Sequence, residues 1–153
     1  MAGTTFSELF DSFMQRVNDY KLTILYNTSV NDFETYLSSF LLDAIEEFSP
    51  ICDQSLANSS GTFTATLTQK NIKLLSMMMT RYWLGKECSD LRQMSLHVTD
   101  KDFRVYSEAN HMREKQNKYN ALREEISQEM VNYKLGDRTM WEDWIVDGIY
   151  YQP

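Results

Sequence analysis

Glu108 and His111 stand three residues apart, the spacing with which di-iron helical bundles aim two ligands at one metal. Such a centre needs a second Glu-x-x-His and two further glutamates on facing helices. His97, the other histidine, has Met94 three positions before it, so half the ligand set is missing. Glu108 and His111 therefore read as polar contacts on an exposed or inter-subunit face. Cys52 and Cys88 lack the close Cys or His neighbours of a four-ligand zinc site, and they read as reduced, partly buried thiols of a cytosolic protein. Nucleophilic catalysis needs a Ser, Thr or Cys beside a base that a third group orients. Cys88 with His97 is a conceivable pair, and nothing marks a third member. The five glycines are isolated, so no phosphate-cradling loop is expected. No catalytic residue, metal ligand or cofactor is expected, and the chain is not read as an enzyme.

The remaining chemistry is that of surfaces. Met77, Met78 and Met79 could form a pliable binding surface, but beside Leu74, Leu75, Tyr82 and Trp83 they read as core filling. Arg113, Lys115, Lys118 and Arg123 alternate with Glu114, Glu124 and Glu125, which describes a solvated, salt-bridged face. A formal charge of −7 argues against a grip on duplex DNA through phosphate neutralisation. It suits solubility, or the wall of a channel through which nucleic acid slides without sticking. Residues 1–17 have neither a basic leader nor a long apolar run, so they are not read as a signal peptide. No stretch reaches the roughly 20 apolar residues of a membrane span, and the Asn27 and Asn58 sequons read as ordinary loop residues.

The elements that must position these residues are helices. The chain of 153 residues, 42% hydrophobic, has two prolines and few glycines, and those inside the chain are expected where helices stop. Thr4 or Thr5 caps a first helix with Phe6, Leu9, Phe10, Phe13, Met14 and Val17 on one face, and Tyr20 to Tyr26 is a short helical continuation. Asn31 caps the cleanest amphipathic segment, expected to be the core helix, with Phe33, Tyr36, Leu37, Phe40, Leu41, Ala44, Ile45 and Phe48 on one face before Ser49-Pro50. Residues 51–67 turn β-branched and small: a turn at 58–61 and alternation over 62–67 predict a hairpin or an extended arm. Thr68 caps a further helix, with Ile72, Leu75, Met78 or Met79, Tyr82 and Trp83 inward and a kink at Gly85 or near Ser89.

From Asp100 to Tyr133 there is neither Gly nor Pro, and the apolar spacing of three or four predicts one helix about 50 Å long, ended by Gly136 and Asp137. A compact domain of this length is roughly 40 Å across, so the helix is expected to protrude. Its apolar stripe is narrow, with Gln116 alone on the inward line between Met112 and Tyr119. Tyr106, Met112, Gln116 and Tyr119 are the candidate subunit-interface residues. The tail then crowds Met140, Trp141, Trp144, Ile145, Val146, Ile149, Tyr150 and Tyr151 into a short span. Large amphipathic rings anchor interfaces; the tail either docks on another subunit or folds back on its own domain. Trp141, Trp144, Ile145, Ile149, Tyr150 and Tyr151 are the candidate partner-binding residues. The expected organisation is all-α: a helical bundle over 1–136 with one long protruding helix, a small hairpin or arm at 51–67, and an extended aromatic docking arm over 137–153.

The run Asp102-Phe103-Arg104-Val105-Tyr106-Ser107-Glu108-Ala109-Asn110-His111-Met112-Arg113-Glu114-Lys115 resembles the long-helix segment of small tailed-bacteriophage head-tail connector (neck adaptor) proteins. The amphipathic helix over 31–48, the Thr-rich excursion ending in Leu67-Thr68 and the helix with Trp83-Leu84 follow the order of that family, so the likeness spans residues 15–135. It implies a structural virion protein of the neck, assembled in the host bacterial cytoplasm. Identical subunits, a dodecamer by that pattern, would form a ring beneath the portal, extend the DNA channel without sequence-specific binding, and present a surface to a tail-side protein. A terminal arm would reach the adjacent component. No membrane is involved. From a different class, a soluble helical regulatory or binding module dimerising through its long helix also suits these residues, and a metal-dependent oxidase would need the ligands found missing above.

Overall fold

A computed structural model describes the chain over residues 3–97 and 102–136, with side chains described over 3–93 and 110–136. In chain order the elements are α1 (Phe6–Arg16), α2 (Tyr20–Thr28), α3 (Val30–Phe48), β1 (Asn58–Ser59), β2 (Thr62–Phe63), α4 (Gln69–His97) and α5 (Asp102–Gly136). The architecture is mostly helical with one small antiparallel hairpin.

Local capping chemistry sets the early boundaries. Thr5, not Thr4, starts α1: Glu8 N–H donates to Thr5 Oγ1 at 3.4 Å, and the Glu8 carboxylate accepts from Thr5 N–H at 3.2 Å. The expected continuation over 20–26 is a separate helix, because Asp19 Oδ1 accepts from Lys21 N–H at 2.8 Å and Leu22 N–H at 3.3 Å and restarts the chain. α3 begins earlier than Asn31, since the extended backbone of Ser29 lets its hydroxyl accept from Asp32 N–H at 3.2 Å. Thr68 caps α4 as expected, accepting from Asn71 N–H at 3.3 Å.

The centre of the molecule is α4, which corrects the expectation that the 31–48 helix is the core helix. Leu74 to Thr80 are buried without a break, Met77, Met78 and Met79 completely so. Consecutive burial means neighbours on every side, and α1, α3 and α5 all pack on α4. A single inward face on this helix is therefore also corrected. The two hydroxyls in the stretch are satisfied: Ser76 Oγ donates to the Lys73 carbonyl at 2.8 Å and accepts from Arg16 Nε at 3.0 Å, and Thr80 Oγ1 donates to the Ser76 carbonyl at 2.7 Å. α4 passes through Gly85 as one helix. Gly85 does not stop it but gives room to Tyr119, whose ring carbon would lie 3.4 Å from an added Cβ.

α5 runs antiparallel to α4, as the pairs Lys115–Glu87 at 2.7 Å and Lys73–Glu129 at 2.7 Å show. At 35 residues its length is about 52 Å.

The 51–67 excursion is a hairpin, not a free arm. Ser60 (φ 50°) and Gly61 (φ 76°) form its two-residue turn, the doubly left-handed kind that matches strand twist. The alternation over 62–67 yields a paired strand of only two residues; Thr64 N–H still donates across the hairpin to the Ala57 carbonyl at 2.9 Å, while the other edge of the stretch is tied to the N-terminus. Phe63 N–H donates to the Thr4 carbonyl at 2.8 Å, Thr4 N–H to the Ala65 carbonyl at 3.3 Å, and Leu67 N–H to Thr4 Oγ1 at 2.8 Å. The rings of Phe6 and Phe63 meet 5.2 Å apart beneath this clasp.

Candidate interaction surfaces

The polar side chains that α4 brings together act as ties between elements. At its N-terminal end, Tyr133 of α5 donates its hydroxyl to Asp53 Oδ1, and Asp53 N–H donates back to the Tyr133 oxygen at 3.0 Å. Asn71 Nδ2 donates to Asp53 Oδ1 at 3.0 Å and to Gln54 Oε1 at 2.8 Å, while Lys70 Nζ sits 4.2 Å over the Tyr133 ring and Phe48 meets that ring edge-on at 5.3 Å. The loop after α3 is thus fastened to both long helices. Burial, and then the hydrogen bond to Asp53, push the Tyr133 phenol well above its ordinary value. The Asn71 and Tyr133 hydrogen bonds hold the Asp53 carboxyl below its own.

These shifts give a signed expectation. A phenol whose folded pKa is raised stabilises the fold fully below its unfolded value of about 10, and this contribution drains away as pH rises from there toward the folded value. Tyr133→Phe keeps the ring contacts and removes the hydroxyl, so it should cost about 1–2 kcal/mol at neutral pH. The gap to wild type should narrow above about pH 10. Denaturant melts at neutral and strongly alkaline pH check both; a gap that widens with pH would show the sign to be wrong. Asp53 behaves oppositely, its contribution being lost as pH falls through the acid range.

Two further ties lie along α4. Arg81 donates to both Glu47 oxygens, Nη1 at 3.1 Å, and Tyr82 adds its hydroxyl to Glu47 Oε2 at 2.8 Å. Burial works to raise the Glu47 carboxyl, but these donors outweigh it and hold it below the ordinary range. Glu87, almost fully buried, accepts from Lys115, whose ammonium also lies 5.6 Å from the Trp83 ring centre. Both thiols are free and half-buried, and burial pushes each above its ordinary pKa, which disfavours the reactive thiolate.

His111 is exposed. Glu108 and His97 lie outside the residues whose side chains are described. Among the described residues, no three His, Cys, Asp or Glu side chains converge as metal ligands, and no helix is long and apolar enough to cross a membrane. Of the candidate subunit-interface residues, the Tyr106 side chain lies outside the described set, and Met112, Gln116 and Tyr119 are half-buried. Gln116 and Tyr119 border a shallow groove with Gly85, Cys88, Ser89 and Arg92 of α4, so over these residues the narrow stripe of α5 finds a neighbour in its own chain. Trp141, Trp144, Ile145, Ile149, Tyr150 and Tyr151 lie outside the described residues. The residue that sequence reasoning missed is Tyr133: its apolar spacing was plain, but its hydroxyl partner sits 80 positions away.

The surface also carries large apolar side chains that remain substantially exposed, though the Tyr26 ring meets that of Phe33 edge-on at 5.2 Å. Tyr20, Ile24 and Tyr26 on α2, Val30 and Leu42 on α3, and Val131 and Leu135 on α5 are exposed, Tyr20 by 79%. Scattered singly they would need no explanation, but three of them share the nine residues of α2 and two stand one turn apart on α5. No family model matches this chain, and no curated protein or solved structure does.

Proposed function

We propose that this chain is a non-enzymatic virion assembly protein, a head-tail connector subunit. Copies of it form a ring beneath the portal of the DNA-filled head, prolong the channel and offer an attachment surface to a tail-side protein. The observation that carries the reading is the pairing of the Asp102-to-Lys115 string, which resembles the long-helix segment of neck adaptors, with a mostly helical scaffold that leaves apolar side chains outside its core. A closed ring joins one face of each subunit to a different face of the next, which is a use for such surplus. The net acidic charge suits a channel that DNA must traverse without adhering. In this reading the chain takes no cofactor, touches no membrane, and works in the neck of the virion after assembly in the bacterial cytoplasm.

Trp141, Trp144, Ile145, Ile149, Tyr150 and Tyr151 are the proposed anchors for the adjacent component, the larger rings contributing on the order of 2 kcal/mol each where they fill pockets. Repetition around a ring turns modest single contacts into a firm joint. Truncation after Gly136 tests this: the product should keep its helical circular dichroism and lose co-sedimentation with portal or tail-side protein. Unfolding of the truncated chain would make the tail part of the core instead. Electron microscopy of the protein co-expressed with its portal should show a ring on the portal's lower face. A species that stays a dimer in the presence of portal would favour the regulatory module that pairs through its long helix.

A further inference from the structure

Seventeen residues follow Gly136, the last of α5, and they include Trp141, Trp144, Ile145, Ile149, Tyr150 and Tyr151. Left bare, side chains of that size would promote indiscriminate association. Where they rest in a free subunit stands apart from the ring reading. Trp141, Trp144, Ile145 and Ile149 are spaced as i, i+3, i+4 and i+8, so in a helix they would share one stripe, while Glu142, Asp143 and Asp147 fall off it.

α5 offers a face to this segment. Ile126 and Tyr133 mark its buried side, where α4 packs on it. Val131 and Leu135 lie on the opposite side, one turn apart and half exposed. From Val131 a hollow of about 530 Å³ runs back along that side, lined among the described residues by Asn120, Arg123, Glu124, Ser127 and Gln128 as well. All six belong to α5. A single helix is convex, so a second segment is needed to close such a hollow. The lining suits the tail: Ser127 Oγ donates to the Arg123 carbonyl at 2.9 Å and Gln128 Nε2 to Asn132 Oδ1 at 3.2 Å, and each of these side chains keeps an oxygen that can accept. An indole N–H only donates and wants such an acceptor. Exposed apolar side chains also stand on α2 and α3, but the α5 face is set apart by the point at which the tail begins. Leu135 is one residue before Gly136, and loop closure costs least for the nearest surface. The α4 side of that exit is taken by Lys70, whose Nζ lies 3.7 Å from where a Cβ on Gly136 would stand.

We propose that in the free subunit the tail reverses just after Gly136 and returns as a helix antiparallel to α5 along this face, with Trp141 against Leu135 and Ile145 against Val131. A short reversal over 137–139 sets those pairs level with each other and brings Gln152 level with Glu124. The occupant of the face is therefore the chain's own last residues. A partner that takes the tail must first draw it off α5.

The test joins two introduced thiols in the full chain, with Cys52→Ser and Cys88→Ser removing the native ones and no portal present. Glu124→Cys with Gln152→Cys should be bridged within one chain by a short bismaleimide, about tenfold faster than Leu42→Cys with Gln152→Cys. Mass spectrometry of the denatured product tells a bridge within a chain from one between chains. As a second probe, Val131→Ser with Leu135→Ser removes the apolar floor of the face. Emission from Trp141 and Trp144 should then shift to the red and become more quenchable by acrylamide, whereas Ile24→Ser should change neither. Trp83, buried against Phe13, gives a constant background. Equal bridging rates for the two thiol pairs would put the tail elsewhere and overturn the proposal. Bridges between chains would give the face to the tail of another copy and overturn it as well, and so would emission that the double variant leaves unmoved. None of these outcomes bears on the ring, which microscopy with portal judges separately.

Discussion

Met78→Asp is expected to unfold the protein in neutral buffer, whereas Met78→Leu is expected to leave it folded. Met78 is completely buried in the middle of α4, within an unbroken buried stretch that α1, α3 and α5 surround. On a helix with one wet face a carboxylate can reach past its neighbours to water, but here every direction is protein. A fully buried carboxyl shifts its pKa upward by as much as about 3–5 units, which at 1.36 kcal/mol per unit is on the order of 5 kcal/mol at neutral pH. Losing the apolar burial of the methionine adds about 2 kcal/mol. The sum rivals the whole stability of an ordinary domain, about 5–15 kcal/mol. Leucine conserves volume and polarity and should cost less than about 1.5 kcal/mol. The sign of the pH effect is distinctive: because folding raises the pKa of the introduced carboxyl, the variant should regain structure as pH falls into the range where that group is neutral. Circular dichroism across the acid range measures this. A variant that stays folded at neutral pH would show that α4 has a solvent-facing side at Met78.

Gly3→Ala should cost about 3 kcal/mol or more, far beyond what removing a flexible residue near a terminus suggests. A Cβ on Gly3 would stand 1.7 Å from the Phe63 carbonyl oxygen and 2.9 Å from its carbon. Both are backbone atoms, and they cannot rotate aside. The terminal segment must lift off, and with it go the hydrogen bonds that join Thr4 to Phe63, Ala65 and Leu67. Each is worth about 0.5–1.5 kcal/mol, and the buried groups left behind are penalised further. Gly61 provides the contrast: nothing lies within 4 Å of its would-be Cβ, and its φ of +76° is the sole obstacle. Gly61→Ala should therefore cost only about 1–2 kcal/mol. Thermal melts of the two variants rank them; a milder Gly3 variant would mean that the clasp contributes little.

Where helices would form was legible because period and caps act over four residues. Thr5, Thr68 and the inward set of α3 follow from spacing alone. The clasp at Thr4 was not legible, since a single antiparallel bridge between Thr5 and Thr62 leaves no periodic trace in either segment. Nor was the central place of α4. A helix buried on every side loses the polar stripe that marks an amphipathic one, and Ser76 and Thr80 look like surface residues until Arg16 and the helix carbonyls are seen to satisfy them. The narrow stripe of α5 was assigned to a subunit interface, whereas at Gln116 and Tyr119 its neighbour is α4 of the same chain. Which chain supplies it is a matter of long-range packing, and Tyr119 finds Gly85 of its own α4. The proposed anchors Trp141 to Tyr151 remain a reading of residue type.

A central helix that arrives late in the chain also bears on synthesis. Phe13 waits for Trp83, its edge-on partner 6.2 Å away, and Thr4 waits for Leu67. At about 5–20 residues per second, several seconds separate the emergence of α1 from that of the helix it packs on. Throughout that interval the ribosome carries Leu9, Phe10, Leu37 and Phe40 without the helix that completes their burial. Expression of this protein should accordingly be sensitive to chaperone supply and to growth temperature, and fragments stopped before α4 should collect in inclusion bodies.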